Sequence, residues 1–162
     1  MDQYVDLAIQ LKMTSAAIIS PEEICFDPRV LLKCLWGCNQ QTVKCDTRGT
    51  TFQERCDMIR QYQRILLVHA HDGQDITKAV LEIERQAFLD GHYLAFAIRY
   101  CNYCTECQVD DDKLCTFPKL IRPCESIFGI NVFQTVRNLG LPLDVLQSND
   151  AVQNRYGFVL IE

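Results

Sequence analysis

The chain has 162 residues, 48% of them hydrophobic and 23% charged, which suits one globular domain with a sizeable core and excludes wholesale disorder or a fibrous class. Its net charge of −5, from 21 acidic and 16 basic residues with no lysine or arginine block, argues against a nucleic-acid surface, which needs clustered positive charge to displace phosphate counterions. Ten cysteines are the outlier.

The opening "MDQYVDLAIQLKMTSAA" has acidic residues ahead of its apolar ones and no apolar run of signal length, so neither a secretory signal nor a membrane span is expected. The expected location is the cytoplasm. Thiols are kept reduced there, so a cysteine-dense chain points to metal binding or catalysis rather than to disulfides. Tyr4, Leu7, Ala8 and Leu11 share one face of a short helix over residues 3–12, and Ala16–Ile19 reads as a strand.

Residues 25–56, "CFDPRVLLKCLWGCNQQTVKCDTRGTTFQERC", follow neither period for long, although residues 30–33 read as a strand. A long aperiodic stretch inside one domain is usually functional. Cys34, Cys38 and Cys45 stand at C-x3-C-x6-C, with Cys25 nine residues before and Cys56 eleven after. That many thiols in one irregular segment suit a cluster site better than a packed core, and Cys25 is counted with Cys34, Cys38 and Cys45 as an expected ligand. Trp36 and Gly37 lie between two of them, where a ring shields a cluster and glycine lets backbone approach sulfur; a turn with one half-buried aromatic explains the pair equally. Arg29, Lys33 and Arg122 would offset anionic thiolates, or simply be solvated.

Residues 51–62 read as a helix. "RILLVHA" is a buried strand, "DITKAVLEIERQAFLDG" a helix capped by Asp75 and ended by Gly91, and "HYLAFAIRY" a second strand. Ile76, Ala79, Val80, Ile83 and Ala87 form the helix's apolar face. Together these make a βαβ unit. His69 and His71, at the end of its first strand, alternate as a metal pair would, but no third ligand stands nearby and a hydrogen-bonded role is the simpler reading. A helix over residues 131–139 and a closing strand, "YGFVLIE", complete the expected architecture. It is α/β, a single domain over residues 1–162 with a βαβ unit and cysteine-rich metal-binding loops inserted.

Directly after the second strand, Cys101, Cys104, Cys107 and Cys115 give C-x2-C-x2-C-x7-C. A chain wrapping a cubane meets successive iron corners every third residue, whereas zinc more often takes two separated C-x2-C pairs. The spacing ranks a [4Fe-4S] cluster above zinc. The polar residues between the thiols rule out a packed core strand. Either Cys115 or Cys124 supplies the fourth ligand, and Cys115 is the expected one. Asp110, Asp111 and Asp112, inside this loop, read as a solvated turn or as a docking surface for a basic partner. No catalytic triad, P-loop or dinucleotide fingerprint is present, so a stand-alone enzyme is not supported.

The stretch "GHYLAFAIRYCNYCTECQVDDDKLCTFPKLIRPCESIFGINVF", with "DPRVLLKC" before it and "YGFVLIE" after it, resembles a family of small predicted metal-binding proteins of anaerobic bacteria and methanogenic archaea. The resemblance implies iron-sulfur or other metal binding, with Cys101, Cys104, Cys107, Cys115, Cys34, Cys38 and Cys45 carried over as ligands. Two positions depart: that family usually has Cys-Pro-Pro where this chain has Cys45-Asp46-Thr47, and a small non-thiol residue where it has Cys124. The expected function is an iron-sulfur protein with one or two [4Fe-4S] clusters, in electron transfer to, or as redox accessory subunit of, a larger anaerobic metalloenzyme. A protein partner is expected, and neither nucleic acid nor membrane. The alternative is a non-redox scaffold or assembly subunit with structural zinc or clusters.

Overall fold

In the computed structural model, residues 2–38, 43–111, 114–148 and 150–162 are described, with residues 110 and 111 described in backbone only. Among the described residues four strands form one antiparallel-paired sheet in the order β1-β2-β4-β3, with β1 at Ser15–Ile19, β2 at Ile65–Ala70, β3 at Phe96–Ile98 and β4 at Arg155–Leu160. Five α-helices accompany them among the described residues: α1 Gln3–Gln10, α2 Val30–Gly37, α3 Phe52–Arg60, α4 Gly73–Leu89 and α5 Val132–Asn138. The result is one mixed α/β domain. Among the described residues no helix is long and apolar enough to cross a membrane.

The βαβ unit is split. Both β2 and β3 pair antiparallel with β4, which lies between them, so β2 and β3 run parallel without touching. β1 extends the sheet beyond β2, with Ser15 opposite His69 and Ile19 opposite Ile65. Every residue of β2 is buried, because helices cover both faces of the sheet. Leu66, Val68 and Ala70 meet Tyr4 and Ala8 of α1 and Ile76, Val80 and Ile83 of α4; Ile65 and Leu67 meet Ile59 of α3, Val136 of α5 and Phe158. A fully buried aliphatic side chain contributes about 1.5–3 kcal/mol, so these two layers carry most of the stability.

The face expected for α4 is the one it buries, but its cap is Asp72, whose carboxylate accepts from the N–H groups of Gln74 and Asp75 at 2.7 and 2.9 Å. Gly157 brings α4 onto β4: a Cβ there would stand 2.9 Å from Ile76 Cγ2 and 3.1 Å from Val80 Cγ1.

Residues 30–33 are not a strand but the first turn of α2. Asp27 takes the Arg29 N–H at 2.9 Å, and backbone bonds from Val30 to Asp27 and from Leu31 to Pro28 start the turn. An aspartate followed by proline is a helix-start signal, and it outweighs the β-branched Val30. The second strand of the unit is also shorter than residues 92–100, since only Phe96–Ile98 find partners on β4.

Candidate metal centre

α2 carries Cys34, and Cys38 follows as its C-cap, where the backbone has turned extended. Cys34 is buried and Cys38 exposed. A short 3-10 turn, Val43–Cys45, brings back Cys45. The strand-like segment before α2 is tied to the segment after Cys124 by a bridge between Phe26 and Ile130, by Asp27 N–H to Gly129 O at 2.8 Å, and by Asn131 N–H to Cys25 O at 2.8 Å. Gly129 sits at φ +71°, and a Cβ there would lie 2.1 Å from the Phe52 ring, so this close seam requires glycine.

That seam delivers Cys124 to α2. There Cys124 and Cys34 act on one another's titration. Burial raises the Cys34 pKa, helped by the Cys45 and Cys38 thiols and opposed by Cys124 and the Arg55 guanidinium. The Cys124 thiol is itself pushed up to about 12, chiefly by burial, with Glu125, Cys34 and Cys45 adding to the rise against the Ile127 backbone N–H. Cys34 thus stands among Cys38, Cys45 and Cys124, and the four make up a first foursome.

The second foursome leaves the carboxyl end of β3 and sits at the amino end of α4, the edge where open α/β sheets hold ligands. Thr77 Oγ1 donates to Tyr100 O at 3.3 Å and Gln74 Nε2 to Tyr103 O at 3.2 Å, anchoring the loop to the helix. Tyr103 packs edge-on against Phe117, with ring centroids 5.5 Å apart, which folds the far side of the loop back. Burial raises the Cys104 pKa, and the neighbouring Cys107, Cys101 and Cys115 thiols add to it, while Lys44 opposes them. Lys44 is 5% exposed and lies over the Tyr100 ring at 5.3 Å, a cation placed between the two foursomes.

Between the loops runs a buried ion pair. Arg99, two residues before Cys101, donates from NH1 to Glu125 Oε1 at 3.1 Å, and Glu125 follows Cys124 directly. Arg99 N–H also bonds Pro123 O at 3.0 Å.

The other two cysteines stand apart. Cys25 Sγ accepts from Asn138 Nδ2 at 3.3 Å, and Cys56, buried on α3, points its thiol at Phe128 O at 3.8 Å. The expectation that Cys25 joins a cluster therefore has no support in its contacts. His69 Nε2 meets Asn154 Oδ1 at 2.9 Å, its Nδ1 meets Ser15 Oγ at 3.3 Å, and His71 Nδ1 meets Gln153 O at 3.1 Å. Both are hydrogen-bonded strand-end histidines. Trp36 is 77% exposed and so lies in solvent rather than over the thiols. Arg29 is paired with Asp27, and Arg122 with Glu84; Lys44 acts on Cys104 and Arg55 on Cys34. The side chains of Asp110, Asp111 and Asp112 lie outside the described residues.

Among the described residues no three His, Cys, Asp or Glu side chains converge on one point as the ligands of a single metal ion would. The donor chemistry nevertheless fits a thiophilic metal or cluster. Both foursomes are all thiol, both have a cation beside them, and neither contains a carboxylate or imidazole that would favour a harder ion. The C-x3-C-x6-C spacing was the readable signal for Cys34, Cys38 and Cys45. Nothing local in the sequence marks Cys124 as their companion.

Over residues 17–161 the chain matches a family model described as predicted metal-binding protein (DUF2284). No curated protein and no solved structure matches it.

Proposed function

The chain belongs to the DUF2284 family of predicted metal-binding proteins, and from that premise we propose that it is an iron-sulfur protein holding two [4Fe-4S] clusters for electron transfer. Cys34, Cys38, Cys45 and Cys124 would hold one, and Cys101, Cys104, Cys107 and Cys115 the other. The observation that carries the reading is this division: eight of ten cysteines fall into two all-thiol sets of four, the ligand count that a cubane takes. The repeated x2 step in the second set ranks iron-sulfur above zinc.

A [4Fe-4S] cluster supplies one-electron transfer. The protein's own residues hold the thiolates, and Lys44 and Arg55 place positive charge beside them, which stabilises the thiolate form and raises the reduction potential. The Arg99–Glu125 pair keeps both thiol-bearing segments in register. In this reading the protein serves a larger protein partner, a metalloenzyme of anaerobic metabolism, as its redox accessory. Anaerobic purification followed by iron, acid-labile sulfide and zinc analysis tests it. Stoichiometric zinc without sulfide would replace it with a structural zinc scaffold.

A further inference from the structure

A cavity of about 880 Å³ opens between the segment after α2 and the segment that carries Cys115. Met58, Phe96, Leu114, Ile121 and Phe128 give it apolar walls. Its described polar lining is unbalanced for a chain of net charge −5: Lys44, Arg48, Arg55, Lys119 and Arg122 against the single carboxylate of Asp46. That size and mixture belong to a small-molecule site.

The cations differ in what already occupies them. Arg122 is paired with Glu84 and lies over Phe96. Arg55 donates to the carbonyls of Ile127 and Thr50, which satisfy its N–H groups without cancelling its charge. Lys44 and Arg55 also act on thiols. Arg48 and Lys119 are exposed at the rim and have no carboxylate partner among the described residues. Asp46 is engaged: its Oδ1 accepts the Arg48 N–H at 2.7 Å, closing a turn that Thr50 Oγ1 locks with a 2.6 Å bond to Thr47 O. The turn holds Arg48 at φ +50°, a conformation costly for a non-glycine residue and one that collects at ligand sites.

We infer that this cavity binds a small organic anion, a carboxylate or phosphate on a flat apolar body, with Arg48 and Lys119 taking the charged end. An inorganic anion would leave the apolar walls bare, and a neutral molecule would leave Arg48 and Lys119 unanswered. Cys115 is in the wall, so the bound anion would sit beside the second foursome. Binding itself does not rest on the iron-sulfur reading; only the nearness to a cluster does.

The test titrates the anaerobically purified protein with 2-naphthyl phosphate and 2-naphthoate, followed by probe fluorescence, with 2-naphthol as neutral control. One saturable equivalent of at least one anionic probe is expected, weakened about tenfold by R48E and by K119E, while 2-naphthol binds far more weakly and is indifferent to both changes. The stronger of the two anions identifies the charged group. Unchanged affinity in R48E/K119E, equal binding of 2-naphthol, or no saturable binding of either anion would overturn the inference. Metal and sulfide measured on the same samples separate the two readings: binding without metal sinks only the cluster, and clusters without binding sink only the pocket.

Discussion

Replacing Cys124 with serine removes one thiol from the first foursome and leaves Cys101, Cys104, Cys107 and Cys115 untouched. We expect C124S to lose about half of the bound metal, and C115S to lose the other half; metal and sulfide per chain measure both. C25S and C56S should keep full content, since their thiols face Asn138 and Phe128 O. If C124S instead loses the same half as C115S, the division drawn above is wrong. The contrast also shows where the sequence was readable. Cys101, Cys104 and Cys107 announce themselves by local spacing, whereas Cys124 reaches Cys34 only through a tertiary seam at Phe26 and Ile130, which no window of sequence contains. His69 gives a separate residue-scale prediction. Burial lowers its pKa, so the folded state disfavours the imidazolium. Its contribution to stability is complete above the ordinary histidine value of about 6.5 and is lost as the pH falls below it. Denaturant midpoints at pH 7.5 and 5.5 should fall further apart in the wild type than in H69Q.

Among the elements, the hinge of the account is the join between α4, β4 and the thiol loops. In G157A the new methyl would meet Ile76 and Val80 at 2.9 and 3.1 Å, and overpacking of this kind costs about 1–3 kcal/mol, measurable by chemical denaturation. The Arg99–Glu125 pair behaves differently. R99M strands a buried carboxylate and should cost about 3–5 kcal/mol, while R99M/E125M should recover most of that loss, because two matched apolar groups leave no charge unpaired. α4 and β2 were legible because their apolar periods are long and unambiguous. α2 was not: four residues of "VLLK" suit either period, and what decides in favour of helix is the aspartate-proline start ahead of them. The position of β4 was hidden for a different reason. A strand read in isolation does not say which neighbours it takes, and the insertion of β4 between β2 and β3 is a non-local pairing.

At the scale of the molecule, a two-faced core supports an edge where thiols are concentrated. The sheet and its helices account for the folded body, and the loops that carry cysteines add comparatively little apolar burial of their own. Loops of this kind are ordered by what they bind, so metal removal should loosen them before it unfolds the sheet. Hydrogen exchange of metal-loaded and metal-stripped protein checks this: protection should fall across residues 101–107 and 34–38 and persist in β2 and α4. Electron transfer to a partner is a claim about this same edge, and it depends first on what the thiols hold. The most direct measurement is therefore iron, acid-labile sulfide and zinc per chain in anaerobically purified wild-type protein. Two cubanes predict about eight iron and eight sulfide per chain, with a visible absorbance that dithionite bleaches. Stoichiometric zinc with no sulfide, or no bound metal at all, would contradict the account.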